Sequence, residues 1–269
     1  MPLPAERVFI TGASSGIGAA LAREYAARGA TLGLLGRRRD ALEQLRDALP
    51  AALPGALPDP ARHQVYAVDV RDRAALAGAA RHFIAVNGGA DIVVACAGIS
   101  QGTLTEQAHD LAVFDAVFAT NVNATVATFA PFIATMKTQS TPCRLVGIGS
   151  VAGIRGMRGA GAYCASKAAL HSYCEALRVE LRPSNIRVVT IAPGYIDTPM
   201  TRVNRFPMPF LMQADRFATQ AVAAIARGDS YRVLPWQMGV VAKLLRLMPN
   251  ALFDRVFARA PTKPRGEQP

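Results

Sequence analysis

Apolar residues recur along this chain with two alternating periods. Short β-branched or leucine-rich runs at 8–10, 31–35, 64–68, 91–95, 144–148, 187–191 and 231–234 read as strands. Between them lie longer stretches with apolar positions three and four apart, at 17–28, 40–49, 73–86, 110–136, 162–181 and 215–227, which read as helices. In the second of these, Leu42, Leu45 and Leu49 fall on one face. Strands alternating with helices of this length predict an α/β fold: a parallel sheet covered on both faces. No repeat or linker interrupts the pattern, so residues 1–269 are read as a single domain. Four prolines between Pro50 and Pro60 predict an irregular surface loop. Past Trp236 apolar and basic residues alternate, which predicts a helical C-terminal extension over 237–269.

Composition narrows the class. With 51% hydrophobic and 18% charged residues the chain is too apolar for disorder. No continuous apolar run reaches the ~18 residues of a membrane-spanning helix. The N-terminus enters the first strand without the cationic and apolar regions of a signal sequence, so a cytoplasmic protein is expected. Cys96, Cys143, Cys164 and Cys174 match no metal-ligand spacing and are read as reduced, mostly buried thiols. His63, His82, His109 and His171 form no metal-binding motif either, so no metal is expected. The net charge of +11 favours anionic partners. No basic run interleaved with aromatics suggests nucleic acid; a phosphorylated cofactor and an anionic surface or substrate are the simpler partners.

Directly after the first strand the chain reads Thr11-Gly12-Ala13-Ser14-Ser15-Gly16-Ile17-Gly18. Gly12 permits a sharp turn, Gly16 lets backbone approach a pyrophosphate, and Gly18 lets the following helix pack closely on the sheet. The helix then points free N–H groups and its positive dipole end at the anion. The second strand ends Leu34-Leu35-Gly36-Arg37-Arg38-Arg39, with no acid before Asp40. An acid there would hold a ribose 2′-hydroxyl, whereas arginines accommodate a 2′-phosphate. Arg37 and Arg38 therefore predict NADP(H) over NAD(H); the alternative is a merely solvated helix start.

Tyr163 and Lys167 stand four apart at the start of a helix, on one face. A free phenol, with pKa near 10, is a poor base at neutral pH, and an adjacent ammonium would stabilise its phenolate. Ser150 ends a strand thirteen residues before Tyr163, at the sheet edge where α/β ligands bind. Its hydroxyl can donate to a substrate oxygen. Asn121, a polar amide inside the long helix at 110–136, is read either as functional or as satisfying local backbone groups.

The TGxxxGxG turn, the asparagine, the serine and YxxxK, in this order and spacing, resemble the short-chain dehydrogenase/reductase family over residues 7–200. The resemblance implies a Rossmann-like doubly wound sheet and an oxidoreductase that interconverts a carbonyl and an alcohol. It assigns Tyr163 the proton transfer, Ser150 the polarisation of the carbonyl, Lys167 the tuning of Tyr163 and the nicotinamide ribose, and Asn121 a water in a proton relay. It extends cofactor binding from Gly12, Ser14, Ser15, Gly16, Ile17 and Gly18 to Asp69 and Val70 beside the adenine. Ala97 and Gly98 would approach the ribose, and Pro193, Gly194, Ile196 and Thr198 would flank the nicotinamide. Homodimers or homotetramers are the family's habit. One position departs from the pattern: Cys96 stands where the family carries asparagine, so the strand end or cofactor affinity is expected to differ.

Residues 194–217 match the family's substrate lid. Met200, Phe206, Met208, Phe210, Leu211 and Met212 are read as its apolar wall, which predicts a hydrophobic ketone or aldehyde; ordinary packing is the alternative. The basic, apolar extension fits either a peripheral membrane contact or packing on protein. A ketoacyl or keto-lipid reductase is the narrower enzymatic alternative, and a non-catalytic NADP-binding sensor the non-enzymatic one.

Overall fold

The computed structural model describes residues 6–50, 59–259 and 262–263. Its strands are β1 (Arg7–Thr11), β2 (Thr31–Gly36), β3 (Gln64–Ala67), β4 (Ile92–Ala95), β5 (Cys143–Ile148), β6 (Ile186–Pro193), β7 (Ile196–Asp197), β8 (Met212–Gln213) and β9 (Tyr231–Leu234). The helices are α1 (Gly16–Ala27), α2 (Arg39–Asp47), α3 (Arg73–Asn87), α4 (Asp110–Phe118), α5 (Ala124–Thr138), α6 (Gly161–Glu180), α7 (Pro199–Arg202), α8 (Ala214–Arg227), α9 (Trp236–Leu247) and α10 (Asn250–Phe257). Seven strands form one parallel sheet in the order β3-β2-β1-β4-β5-β6-β9, while β7 and β8 pair separately. Chain direction across the sheet reverses between β1 and β4, the switch point where α/β proteins bind ligands at the carboxyl ends of the strands.

Strand β1 shows how the sequence builds the layers. Successive side chains of a strand point to opposite faces. Val8 and Ile10 accordingly join the core under α1 and α8, and Phe9 joins the core under α3, α5 and α6. There Phe9 packs on Phe83 (ring centroids 5.4 Å apart) and Phe132 (5.0 Å). The strands are buried on both faces, which explains their continuous apolar runs.

The structure adds detail to several of these readings. The helix read over 110–136 spans Asp110–Thr138, with a π-helical turn at Ala119–Asn123 between α4 and α5. By length and composition Asp110–Thr138 could cross a membrane, against the sequence reading, but its Phe129, Phe132 and Met136 are core residues. Within the segment 194–217, Met212 and Phe217 belong to the core beneath α8. The extension is two helices, α9 and α10, split at Met248–Pro249. Most of the proline-rich loop (51–58) and the terminal 264–269 lie outside the described residues.

Candidate active site

The turn after β1 carries its cleft-facing backbone because two glycines leave no alternative. Gly12 has φ +70°, and a Cβ there would stand 2.8 Å from the Ala97 backbone. A Cβ on Gly18 would collide with the Gly12 carbonyl oxygen, so α1 packs this close only with glycine at that position. No side chain caps the first turn of α1 and no acid stands in it, leaving its N–H groups for an anion.

Around this turn lies a cleft of about 350 Å³. Gly12, Ser14, Ser15, Gly16, Ile17, Gly18, Arg37, Arg38, Asp69, Val70, Ala97, Gly98, Ser150, Tyr163, Lys167, Pro193, Gly194, Ile196 and Thr198 all line it, so the fold brings together nearly every residue singled out in the sequence. Cys96 and Met200, also noted in the sequence, line it too, and the fold adds Arg71, Ile99 and Thr120, which no local motif marks. At the end of β2, Arg38 donates to the Ser14 carbonyl (3.3 Å), and Arg37 stands exposed beside it. Asp69, the nearby acid, is already paired with Arg71 (2.7 Å), which holds its carboxyl below the usual range.

Asn121 lies behind the cleft wall rather than on it. Fully buried in the π turn, it accepts from the Ile99 N–H (2.8 Å) and donates to the Ile99 carbonyl (3.0 Å) and Ser166 Oγ (3.0 Å). Ser166 in turn donates to the Tyr163 carbonyl (2.8 Å). The amide thus ties the loop after β4 to α6, and the π turn is what aims it there.

Burial raises the Tyr163 phenol above its ordinary value, and its hydrogen bond with Ser150 pulls partly the other way. The expected depression by Lys167 is not seen. Lys167 is buried, donates to the Ile148 carbonyl (2.8 Å), and has its own pKa lowered to about 8 by desolvation. In this arrangement the phenol keeps its proton at neutral pH, as a proton donor must.

The cysteine at position 96 is accommodated by a neighbour. Thr11 Oγ1 accepts from both the Cys96 N–H (3.2 Å) and the Ala97 N–H (3.3 Å), and donates to the Val94 carbonyl (3.4 Å). The threonine therefore fixes the end of β4, and the thiol, pushed up to about 12 by burial, is a neutral filler.

His171 is the residue the sequence reading missed. Its ring fills the hollow left by Gly149 and Gly153, and its Nε2 accepts from the Ser150 N–H (3.3 Å). Burial and the nearby Lys167 charge lower its pKa to about 4, so it stays neutral and able to accept. Twenty-one residues separate it from Ser150; only its place two turns beyond Tyr163 on the same helix face hints at the link.

The family model for short chain dehydrogenases matches residues 6–207. An uncharacterized oxidoreductase of Myxococcus xanthus is 38% identical over 251 residues, covering 93% of this chain and 96% of the other. Among solved structures, a Burkholderia cenocepacia short chain dehydrogenase in complex with NADP superposes with TM-score 0.77 at 22% identity, covering 95% of this chain and 99% of that one. The Brucella melitensis 3-ketoacyl-(acyl-carrier-protein) reductase complexed with NADH gives TM-score 0.74 at 24% identity, covering 85% and 96%.

Proposed function

The chain belongs to the short-chain dehydrogenase/reductase family, and from that premise we propose that it is an NADP(H)-dependent reductase of hydrophobic ketones or aldehydes, working with Tyr163 as proton donor. The observation that carries this reading is the convergence of Ser150, Tyr163 and Lys167 on one cleft wall, opposite a glycine turn with an uncapped helix end. That turn suits a pyrophosphate. Gly36 with Arg37 and Arg38 at the end of β2 suits a 2′-phosphate, since Asp69, the one acid among the described residues lining the cleft, is paired with Arg71. When bound, the nicotinamide supplies the hydride. Ser150 donates to the carbonyl oxygen and Tyr163 gives it a proton as negative charge develops, with Lys167 beside them in the same cleft. A binding-only sensor would have no use for this set.

Residues 194–217 serve in this reading as the lid, and Met200, exposed Phe210 and exposed Leu211 favour an apolar substrate. Exposed Leu111, Phe114 and Val179 on α4 and α6 support a homodimer or homotetramer. Four unpaired cysteines suit the cytoplasm. Steady-state reduction of a carbonyl panel, including a ketoacyl thioester and small sugars, with NADPH and with NADH tests the whole reading. The expected result is kcat/KM at least ~10-fold higher with NADPH, falling ~10-fold or more in Arg38→Asp through lost charge-assisted hydrogen bonds, with apolar carbonyls preferred. A preference for NADH, or for sugars, overturns the corresponding part.

A further inference from the structure

Helix α9 has two unlike faces. Met238 and Ala242 are buried against the domain. On the opposite side Trp236, Val240, Leu244 and Leu247, spaced by four, four and three residues, form a continuous stripe, respectively 66%, 48%, 61% and 80% exposed. The helix holds no acid, and Lys243 and Arg246 stand exposed along one edge of the stripe. Between 231 and 263 the chain carries six basic residues and one acid.

This helix is held rigidly, not loosely appended. Arg155, in the segment after Ser150, donates to the Leu245 and Met248 carbonyls (both 2.6 Å) and to Asn250 Oδ1 (2.8 Å), and its guanidinium lies 3.9 Å from the Phe253 ring centroid. The stripe therefore has a fixed orientation on a helix whose other face packs Met238 against Gly194, a residue of the cleft lining.

We propose that the outward face of α9 docks on an anionic phospholipid surface. A tryptophan and long aliphatic side chains on one arc, edged by lysine and arginine, are the make-up of a helix lying in the interfacial plane of a bilayer. Charge argues for lipid over a second copy of the chain. A twofold pairing of this stripe would bring Lys243 and Arg246 against their own counterparts with no acid on the helix to neutralise them. An anionic headgroup layer neutralises both, each basic residue adding about 1 kcal/mol, so two give roughly tenfold or more in affinity. Docking requires nothing of the substrate.

Trp236 is the chain's single tryptophan, so intrinsic fluorescence of the full-length protein reads the stripe directly. Titration with phosphatidylglycerol/phosphatidylcholine vesicles is expected to shift its emission to the blue and carry the protein into the vesicle pellet. Pure phosphatidylcholine should bind about tenfold or more weakly, and salt should erode the difference. Leu244→Gln with Leu247→Gln, both at exposed positions, should abolish the shift while circular dichroism and NADPH binding stay unchanged; Lys243→Glu should remove the lipid preference. No shift with anionic vesicles overturns the proposal. So does a blue shift that grows with protein concentration without lipid and tracks a change in oligomeric state, which would make the stripe an interface between copies. Because neither readout uses turnover, failure here is separable from failure of the proposed reductase activity.

Discussion

At the scale of single residues, the chemistry that lies within one turn or one short motif can be read directly from the chain. Tyr163 and Lys167 are four apart, and the glycines of the phosphate turn are separated by four and two, so their joint geometry is local. What supports them is not. Asn121 reaches Ser166 across 45 positions and Thr11 reaches Ala97 across 86. His171 is held in the same non-local way, and it carries a prediction. It positions the Ser150 backbone by accepting its N–H. His171→Leu should lower kcat roughly tenfold, the scale of one hydrogen bond of ~1 kcal/mol plus lost packing, with KM for NADPH unchanged. His171→Gln, which restores an acceptor, should recover most of it. A structural role alone would show as equal loss of stability in both. The pH dependence follows from the same group. Its folded pKa of about 4 lies below the unfolded value near 6.5, so the neutral ring contributes stability that is full above pH 6.5. That contribution is lost as pH falls from 6.5 towards 4, and a falling Tm over that window, flattened in His171→Gln, is the expected readout.

At the scale of elements, strand and helix identity followed from periodicity nearly throughout, with ends displaced by a residue or two. What the periodicity leaves unread has a common cause. A π turn adds one residue per turn without disturbing apolar composition, so Ala119–Asn123 looks like helix from the sequence. Met212, read with the lid, is in the core because β7 and β8 pair, and a two-residue bridge leaves no periodic trace. The extension was legible as helical, but not how it is fastened, because Arg155 acts across ninety residues. Its bonds to three acceptors make it the clasp between α9–α10 and the catalytic segment. Arg155→Ala should lower Tm by several degrees, since a few buried-edge charged hydrogen bonds amount to ~2–3 kcal/mol. Hydrogen exchange should rise in α9 and α10 selectively. Uniform exchange increases, or none, would contradict the clasp.

At the scale of the whole molecule, the parallel order β3-β2-β1-β4-β5-β6-β9 places β1, β4, β5 and β6 side by side, and their carboxyl ends supply the glycine turn, Ala97, Ser150 and Pro193. That order cannot be counted off the chain, but right-handed crossovers between alternating strands and helices leave few other arrangements. Helix α6 then lays Tyr163 and Lys167 across the same edge, so one sheet edge holds both the glycine turn and the proposed proton donor. The account stands or falls on that tyrosine. The most direct measurement is single-turnover oxidation of NADPH by the wild-type protein and by Tyr163→Phe with an apolar carbonyl, alongside NADPH binding by fluorescence. The account predicts a rate loss of ~100-fold or more, the usual share of a positioned proton donor, with NADPH affinity within a few-fold of wild type. A phenylalanine variant that still reduces the carbonyl at near wild-type rate would contradict it.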